Sequence, residues 1–182
     1  VIWTLPESIS LEYRKLLASE EATPEALLEE VDAFCAAIKM IPNQVKYVFV
    51  PTWVAGAFEG RLGLLDMDAG RGVSCALMRM NLRLVENLQQ DARVILLDAS
   101  RWVAVHGEKS FSPQLWYMSK TPYSVVLFKE AAAEIKAAMR ALTGQAKKLI
   151  VVDMDDTLWG GIVGDVGWQE VRLGGHDAIG EA

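Results

Sequence analysis

Residues Lys147 to Gly161 read Lys-Lys-Leu-Ile-Val-Val-Asp-Met-Asp-Asp-Thr-Leu-Trp-Gly-Gly, and they narrow the possible folds more than any other stretch of the chain. Two lysines introduce Leu149 to Val152, an apolar run rich in β-branched residues. The run predicts a buried strand of a parallel sheet, although its periodicity also fits a segment of helix. It ends in three carboxylates, Asp153, Asp155 and Asp156. Ligands of open α/β sheets bind at the carboxyl ends of strands. Two carboxylates two residues apart repel each other unless a cation lies between them. Mg²⁺ suits such a place, because it takes one or two carboxylates together with phosphate oxygens. An aspartate here can also act as a nucleophile and form an aspartyl-phosphate. Asp-x-Asp alone also fits plain turn chemistry. A calcium loop is excluded, because Leu158 and Gly164 stand where it needs glycine and an acid.

Upstream, strands and helices alternate. Val1 to Leu5 reads as a strand, and Pro6-Glu7 breaks it. Ser8 or Ser10 can cap a helix carrying Leu11, Tyr13, Leu16 and Leu17. Thr23-Pro24-Glu25 starts the next helix, with Thr as N-cap and Pro at the first helical position. Leu27, Leu28, Val31, Phe34, Cys35 and Ile38 then recur at helical spacing, and Ile41-Pro42-Asn43 stops the helix. Val45 to Val50 reads as a strand ended by Pro51-Thr52-Trp53.

Ala55 to Gly72 contains five glycines and reads as a long loop, with its Asp66-Met67-Asp68 as solvated loop chemistry. Ser74 to Gln90 is helical, and Arg93 to Leu97 is a strand closing at Asp98. His106 falls in the following loop as a partly exposed, hydrogen-bonded histidine. Gly107-Glu108-Lys109-Ser110 lacks the upstream glycine of a phosphate loop. Tyr123 to Leu142 is a long amphipathic helix, ended by Thr143-Gly144-Gln145. This alternation predicts a parallel α/β sheet with right-handed crossovers and a domain boundary near Gly144 to Lys147.

A net charge of −6 and scattered Lys and Arg argue against a nucleic-acid or anionic-membrane surface. No apolar stretch approaches the ~18–20 residues of a membrane span, and no signal segment is visible. Cys35 and Cys75 lack metal spacing and read as buried free thiols of a cytoplasmic protein. Trp53, Trp116 and Trp159 lie at or near predicted strand ends or in loops, where aromatics also mark interfaces. Core packing is the default reading for each.

Asp153-x-Asp155-x-Thr157 after a hydrophobic strand resembles the first motif of the haloacid dehalogenase (HAD) phosphatase superfamily. The continuation Leu158-Trp159-Gly160-Gly161-Ile162-Val163-Gly164-Asp165, then Val171-Arg172-Leu173-Gly174-Gly175, is similar to its FkbH-like branch. That resemblance implies a Mg²⁺-dependent phosphatase or acyl transferase. Its substrate would be a three-carbon acyl phosphate, and a glyceryl-type group would be loaded on an acyl carrier protein in polyketide or related biosynthesis. It gives Asp153 the roles of nucleophile and metal ligand. It makes Asp155 the general acid/base, with its backbone carbonyl at the metal. Thr157, Gly160 and Gly161 would support the phosphate loop.

Residues 1–145 resemble the SGNH-hydrolase-like module that precedes the HAD part in this family, a flavodoxin-like three-layer α/β domain. Ile2 to Glu7 and Gln114 to Ser124 carry that likeness. Residues 146–182 would then begin a Rossmann-like HAD domain with its first strand. On this reading the chain is truncated at both ends and is inactive by itself. Hydrolytic SGNH members carry Asp-x-x-His-Pro before the last helix, whereas Met118 and Thr121 stand at those places before Pro122. Without a base, a serine is a poor nucleophile. The first domain is therefore expected not to be an esterase. The competing reading is a non-catalytic α/β module that docks a carrier protein or substrate for the HAD domain.

Overall fold

The computed structural model describes residues 1–56, 58 and 63–170. The chain divides into two compact units, Val1–Ala138 and Met139–Ala182.

The first unit is built on a small parallel sheet. β1 (Val48–Pro51) pairs with β2 (Val94–Leu97), with Val48 opposite Val94 and Pro51 opposite Leu97. The predicted first strand is not a full ladder. Its segment lies extended beside β1, held by the Ile2 N–H donating to the Phe49 carbonyl at 2.9 Å. Side chains alternate strictly between two faces, as the pleat demands. Val48, Val50, Val94 and Leu96 point to one face with Ile2, while Phe49, Ile95 and Leu97 point to the other with Trp3 and Leu5.

Helices cover both faces. On the first lie α2 (Leu11–Leu17), α3 (Pro24–Lys39) and α4 (Val73–Leu88), preceded by the single turn α1 (Pro6–Ile9). Leu77, Met80, Leu84 and Leu88 form a buried stripe along α4 and meet Leu27, Val31, Cys35 and Ile38 of α3. Burying each large apolar side chain is worth about 1.5–3 kcal/mol, so this pair of stripes anchors the face. On the second face lie α5 (Ala99–His106) and α7 (Val125–Leu142), and α6 (Pro113–Ser119) comes between them in the chain. There Trp102, Tyr123, Leu127 and Ala131 are buried. The Trp3 ring packs against Trp102, Tyr123 and Phe128 with centroids 5.4, 5.0 and 5.2 Å apart.

Several local expectations hold, with adjustments. Ser10 caps α2, its Oγ accepting from Tyr13 N at 2.9 Å and donating to Glu30 at 2.6 Å. Thr23 precedes α3 as foreseen, but its side chain makes no capping bond. Its N–H donates instead to Glu12 Oε2 at 2.7 Å, tying α2 to the start of α3. Residues 107–110 form a 3₁₀ turn, Gly107–Ser110, and Gln114 to Ser119 lie within α6. His106 sits at the end of α5 rather than in a loop, with its Nε2 3.2 Å from Glu130. Both cysteines are free thiols on helices, Cys35 buried and Cys75 half-buried. Among the described residues no helix is long and apolar enough to cross a membrane.

In the second unit α7 ends at Leu142, and the turn after it is made by Thr143 and Gly144; the glycine sets its hand. That residue adopts φ +74°, and Gln145 N donates back to Arg140 O at 2.8 Å. This left-handed glycine termination caps the last carbonyls. The strand foreseen at Leu149 to Val152 is absent. Leu149, Ile150 and Val151 are 78, 76 and 87% exposed, and no ladder forms there. A buried parallel strand draws its hydrogen bonds and its burial from neighbours on both sides. No partner strand stands beside this run among the described residues. Beyond it the only regular element described is the short α8 (Val163–Val166), and Val171 to Gly175 lie outside the described residues.

Candidate functional site

The acidic stretch folds into a tight turn. Asp155 is half-buried, and its Oδ1 accepts from Trp159 Nε1 at 3.0 Å and from Val163 N at 3.3 Å. Leu158 N donates to the Met154 carbonyl at 3.0 Å, and Thr157 N reaches the same oxygen at 3.3 Å. Asp156 adopts a left-handed φ of +52°, and its Oδ1 accepts from Gly161 N at 2.7 Å. Gly161 has φ +107°, a backbone state that side-chain-bearing residues rarely adopt. Asp156 and Gly161 thus close the turn, while Asp155 binds Trp159 through one oxygen. Asp153 and Thr157 are exposed.

Gly160 and Gly161 line an open depression of about 620 Å³ with Asp156, Val166 and Glu170. Among the described residues that line it, Asp156 and Glu170 carry the charge, and both are carboxylates. Among the described residues no three acidic, His or Cys side chains converge to hold a metal. Asp153 and Asp155 supply two carboxylates, and Mg²⁺ takes one or two of these together with phosphate and water oxygens, so the turn offers protein donors suited to the ion without enclosing it.

A second place of interest was not legible beforehand. At the carboxyl ends of β1 and β2 lies a cavity of about 830 Å³, wholly within the first unit. Its floor is set by how the chain leaves the two strands. Thr52 extends the ladder, its N–H donating to Leu97 O at 2.8 Å and its Oγ1 accepting from Ala99 N at 3.1 Å. The Trp53 peptide is held at both ends by Asn81 of α4. Asn81 Oδ1 accepts from Trp53 N at 2.8 Å, and its Nδ2 donates to Trp53 O at 2.7 Å. Trp53 itself is 3% exposed, and its Nε1 donates to Thr4 Oγ1 at 3.1 Å, so this tryptophan is core.

Leu77 and Met78 line the cavity from α4, Ser100 and Val103 from α5, and Phe58 and Phe111 from the loops. Phe58 stacks on the half-buried Trp116 with centroids 6.1 Å apart. Asp98 caps α5, its Oδ1 accepting from both the N–H and the hydroxyl of Ser100. Among the described residues that line the cavity, Glu108 is the one titratable side chain and no nucleophile–base pair is present. Met118 is exposed on α6, and Thr121 Oγ1 accepts from Ser119 Oγ at 3.1 Å. The signals for this cavity were the two strand ends, Pro51-Thr52-Trp53 and Asp98. Nothing in the spacing of Asn81 or Ser100 linked them to those ends.

Asp66 and Asp68 behave as loop chemistry. Asp68 Oδ1 accepts from Gly70 N and Arg71 N, both at 2.9 Å. These backbone bonds hold its carboxyl below the usual range.

No protein-family model matches the chain, and a search of curated proteins finds no match. Among solved structures, it is similar to the crystal structure of the N-terminal part of protein BF1531 from Bacteroides fragilis, which contains a phosphatase domain complexed with Mg. The TM-score is 0.69 at 19% identity, and the match covers 92% of this chain and 45% of that one. The chain therefore spans less than half of that structure and shares its α/β fold over nearly all of its own length.

Proposed function

We propose that this chain belongs to a HAD-type, FkbH-like protein that acts on an acyl phosphate in the cytoplasm. In it, residues 1–145 form an SGNH-like module without hydrolytic activity, and residues 146–182 open the phosphatase domain. One observation carries this reading. A chain bearing Asp153-x-Asp155-x-Thr157 shares its fold, over 92% of its length, with a structure that contains a Mg-bound phosphatase domain.

In the intact site Asp153 would attack phosphorus, and the P–O bond to the acyl group would break. Asp155 would protonate the leaving group and then take a proton from the incoming nucleophile. Its second oxygen is the one for this task, since Oδ1 is engaged by Trp159 and Val163. Mg²⁺, when bound, would supply charge neutralisation between carboxylate and phosphate, which is the main demand of phosphoryl transfer. Asp153 and the Asp155 backbone carbonyl would hold it, with phosphate and water oxygens as the remaining donors. Loading of a glyceryl-type group on an acyl carrier protein would be a separate step. In it the carrier thiol attacks the acyl carbon of the acyl phosphate, the C–O bond breaks, and phosphate leaves with the thiol proton.

A protein carrying the complete phosphatase domain tests this. Phosphate release from an acyl phosphate should fall by several orders of magnitude in Asp153→Asn. Asp156→Asn should lose far less, because an Asn oxygen can still accept from Gly161 N. Equal loss in the two variants would sink the assignment. The 182-residue chain itself should show neither phosphate release nor saturable Mg²⁺ binding.

The first unit has its own reading, supported by a cavity at the strand ends whose described lining is mostly apolar and holds no nucleophile–base pair. It is a binding module that holds a substrate or carrier-borne group for the neighbouring domain. Short acyl esters should not be turned over by the intact protein. Turnover that survives Asp153→Asn would refute this part.

A further inference from the structure

Trp159 is where the acidic turn goes beyond plain turn chemistry. Its indole Nε1 donates to Asp155 Oδ1 at 3.0 Å, four residues back, and Val163 N reaches the same oxygen at 3.3 Å. The backbones of Asp155 and Trp159 also form a bridge, which keeps the ring beside the carboxylate.

Closing the turn does not require the indole. Asp156 does that, its N–H donating to Gly161 O at 3.4 Å and its Oδ1 accepting from Gly161 N at 2.7 Å. Leu158 N adds a bond to the Met154 carbonyl at 3.0 Å. Trp159 is half-buried, so water could serve its N–H, yet the carboxylate is the partner.

A carboxylate held by one donor can still turn about that bond. Here a ring N–H and a backbone N–H from different parts of the turn converge on one oxygen and fix the group as a whole. An indole or peptide N–H only donates, so Oδ1 stays an acceptor. Oδ2 carries neither bond and is the atom left to pass and take a proton. Such aim matters, because a misplacement of about 1 Å can cost ~100-fold in rate.

We propose that Trp159 is a positioning residue for Asp155. Its indole N–H holds Oδ1 and thereby sets the direction in which Oδ2 meets the leaving group and then the incoming nucleophile. This rests on the reading of Asp155 as the general acid/base of the phosphatase site.

The contact is tested by itself in the 182-residue chain. The Trp159 indole N–H has its own NMR signal, assigned by its loss in Trp159→Phe. Asp155→Ala should shift that signal and speed its exchange with water. A signal that stays in place would overturn the proposal.

The role is tested in a protein carrying the complete phosphatase domain. Trp159→Phe keeps a ring and removes the N–H. Its kcat for phosphate release from an acyl phosphate should fall about tenfold, the worth of a hydrogen bond to a charged group. KM should hardly change, since the lost interaction serves the reaction and not the bound phosphate. In an Asp155→Asn background the same replacement should cost less than about twofold, because the group it aims no longer transfers a proton.

A tenfold loss that persists in that background would mean that Trp159 serves the turn as a whole, and would overturn the proposal. So would full kcat in Trp159→Phe. Asp153→Asn in the same assay reports on the phosphatase reading. Full phosphate release there sinks that reading, whereas an inactive Asp153→Asn beside an unimpaired Trp159→Phe sinks the role of Trp159 alone.

Discussion

Asn81 grips the peptide of Trp53 from both sides, accepting from its N–H at 2.8 Å and donating to its carbonyl at 2.7 Å. The two residues are 28 positions apart in sequence. This pair fixes the chain where it leaves β1 and so shapes the cavity floor. Asn81→Ala should cost about 2–4 kcal/mol, since a mostly buried peptide then loses partners for both its polar groups. Urea unfolding measures it. A loss below about 0.5 kcal/mol would mean that water replaces Asn81 there without penalty.

Gly72 lies against the turn before it. A Cβ at this position would stand 2.3 Å from the Asp66 carbonyl oxygen and 2.6 Å from that of Asp68. Both are backbone atoms and cannot swing aside. Gly72→Ala should destabilise by about 1–3 kcal/mol through forced backbone movement. Gly144→Ala is the comparison, because there the cost comes from φ +74° with nothing within 4 Å. Thermal unfolding of the two variants checks the distinction.

Cys35 is 1% exposed on α3, and burial, with a smaller contribution from Asp32, pushes its thiol up to about 11. It should therefore resist a disulfide reagent at mildly alkaline pH, because the thiolate is the reactive form. The sign for stability follows. Below about 9 both folded and unfolded states keep the proton, and as pH rises from 9 towards 11 the unfolded chain ionises first. Stability should fall across that window, and Cys35→Ala should remove part of the fall. Thiol titration of native and denatured protein, with unfolding measured against pH, tests both statements.

Asp32 receives Arg83 at 2.6 and 2.7 Å and Asn87 at 2.6 Å, joining α3 to α4. The Arg83 hydrogen bonds are the main reason its carboxyl lies below the ordinary value of 3.8. A depressed carboxylate stabilises above its unfolded pKa, and that contribution is lost as pH falls through the folded value. Both side chains are more than a third exposed, so water screens the pair. Asp32→Asn should therefore cost less than Asn81→Ala at neutral pH and less again at pH 2, below the unfolded value of 3.8. Urea unfolding at the two pH values decides it.

Leu149, Ile150 and Val151 are exposed and outside any ladder in this chain. Thermolysin, which cuts beside large apolar residues, should cleave there before it cuts α3 or α4. Mass spectrometry of a short digest reads the site. Early cleavage inside either helix would contradict the fold.

Helices were the most legible part of the sequence. The stripes Leu27-Val31-Cys35-Ile38 and Leu77-Met80-Leu84-Leu88 declare helical period and buried face at once, and caps such as Ser10 and Pro24 mark their starts. The two strands were legible as apolar runs that end in Pro51-Thr52-Trp53 and at Asp98. The turn after Val152 was legible as chemistry through its carboxylates.

What the sequence could not decide was every property that needs a second segment. Leu149 to Val152 has the composition of a strand, yet a strand exists only when another donates and accepts beside it, and here none does among the described residues. Asn81 looks like an ordinary helix residue until α4 crosses the end of β1 and meets the Trp53 peptide. Ser100 becomes an acceptor only because Asp98 takes its hydrogen. Local pattern follows from the covalent period of helix and strand, which the sequence carries in full. Cavity, hydrogen-bond partner and sheet membership follow from distances between segments far apart in the chain, and those distances come into being only when the chain packs.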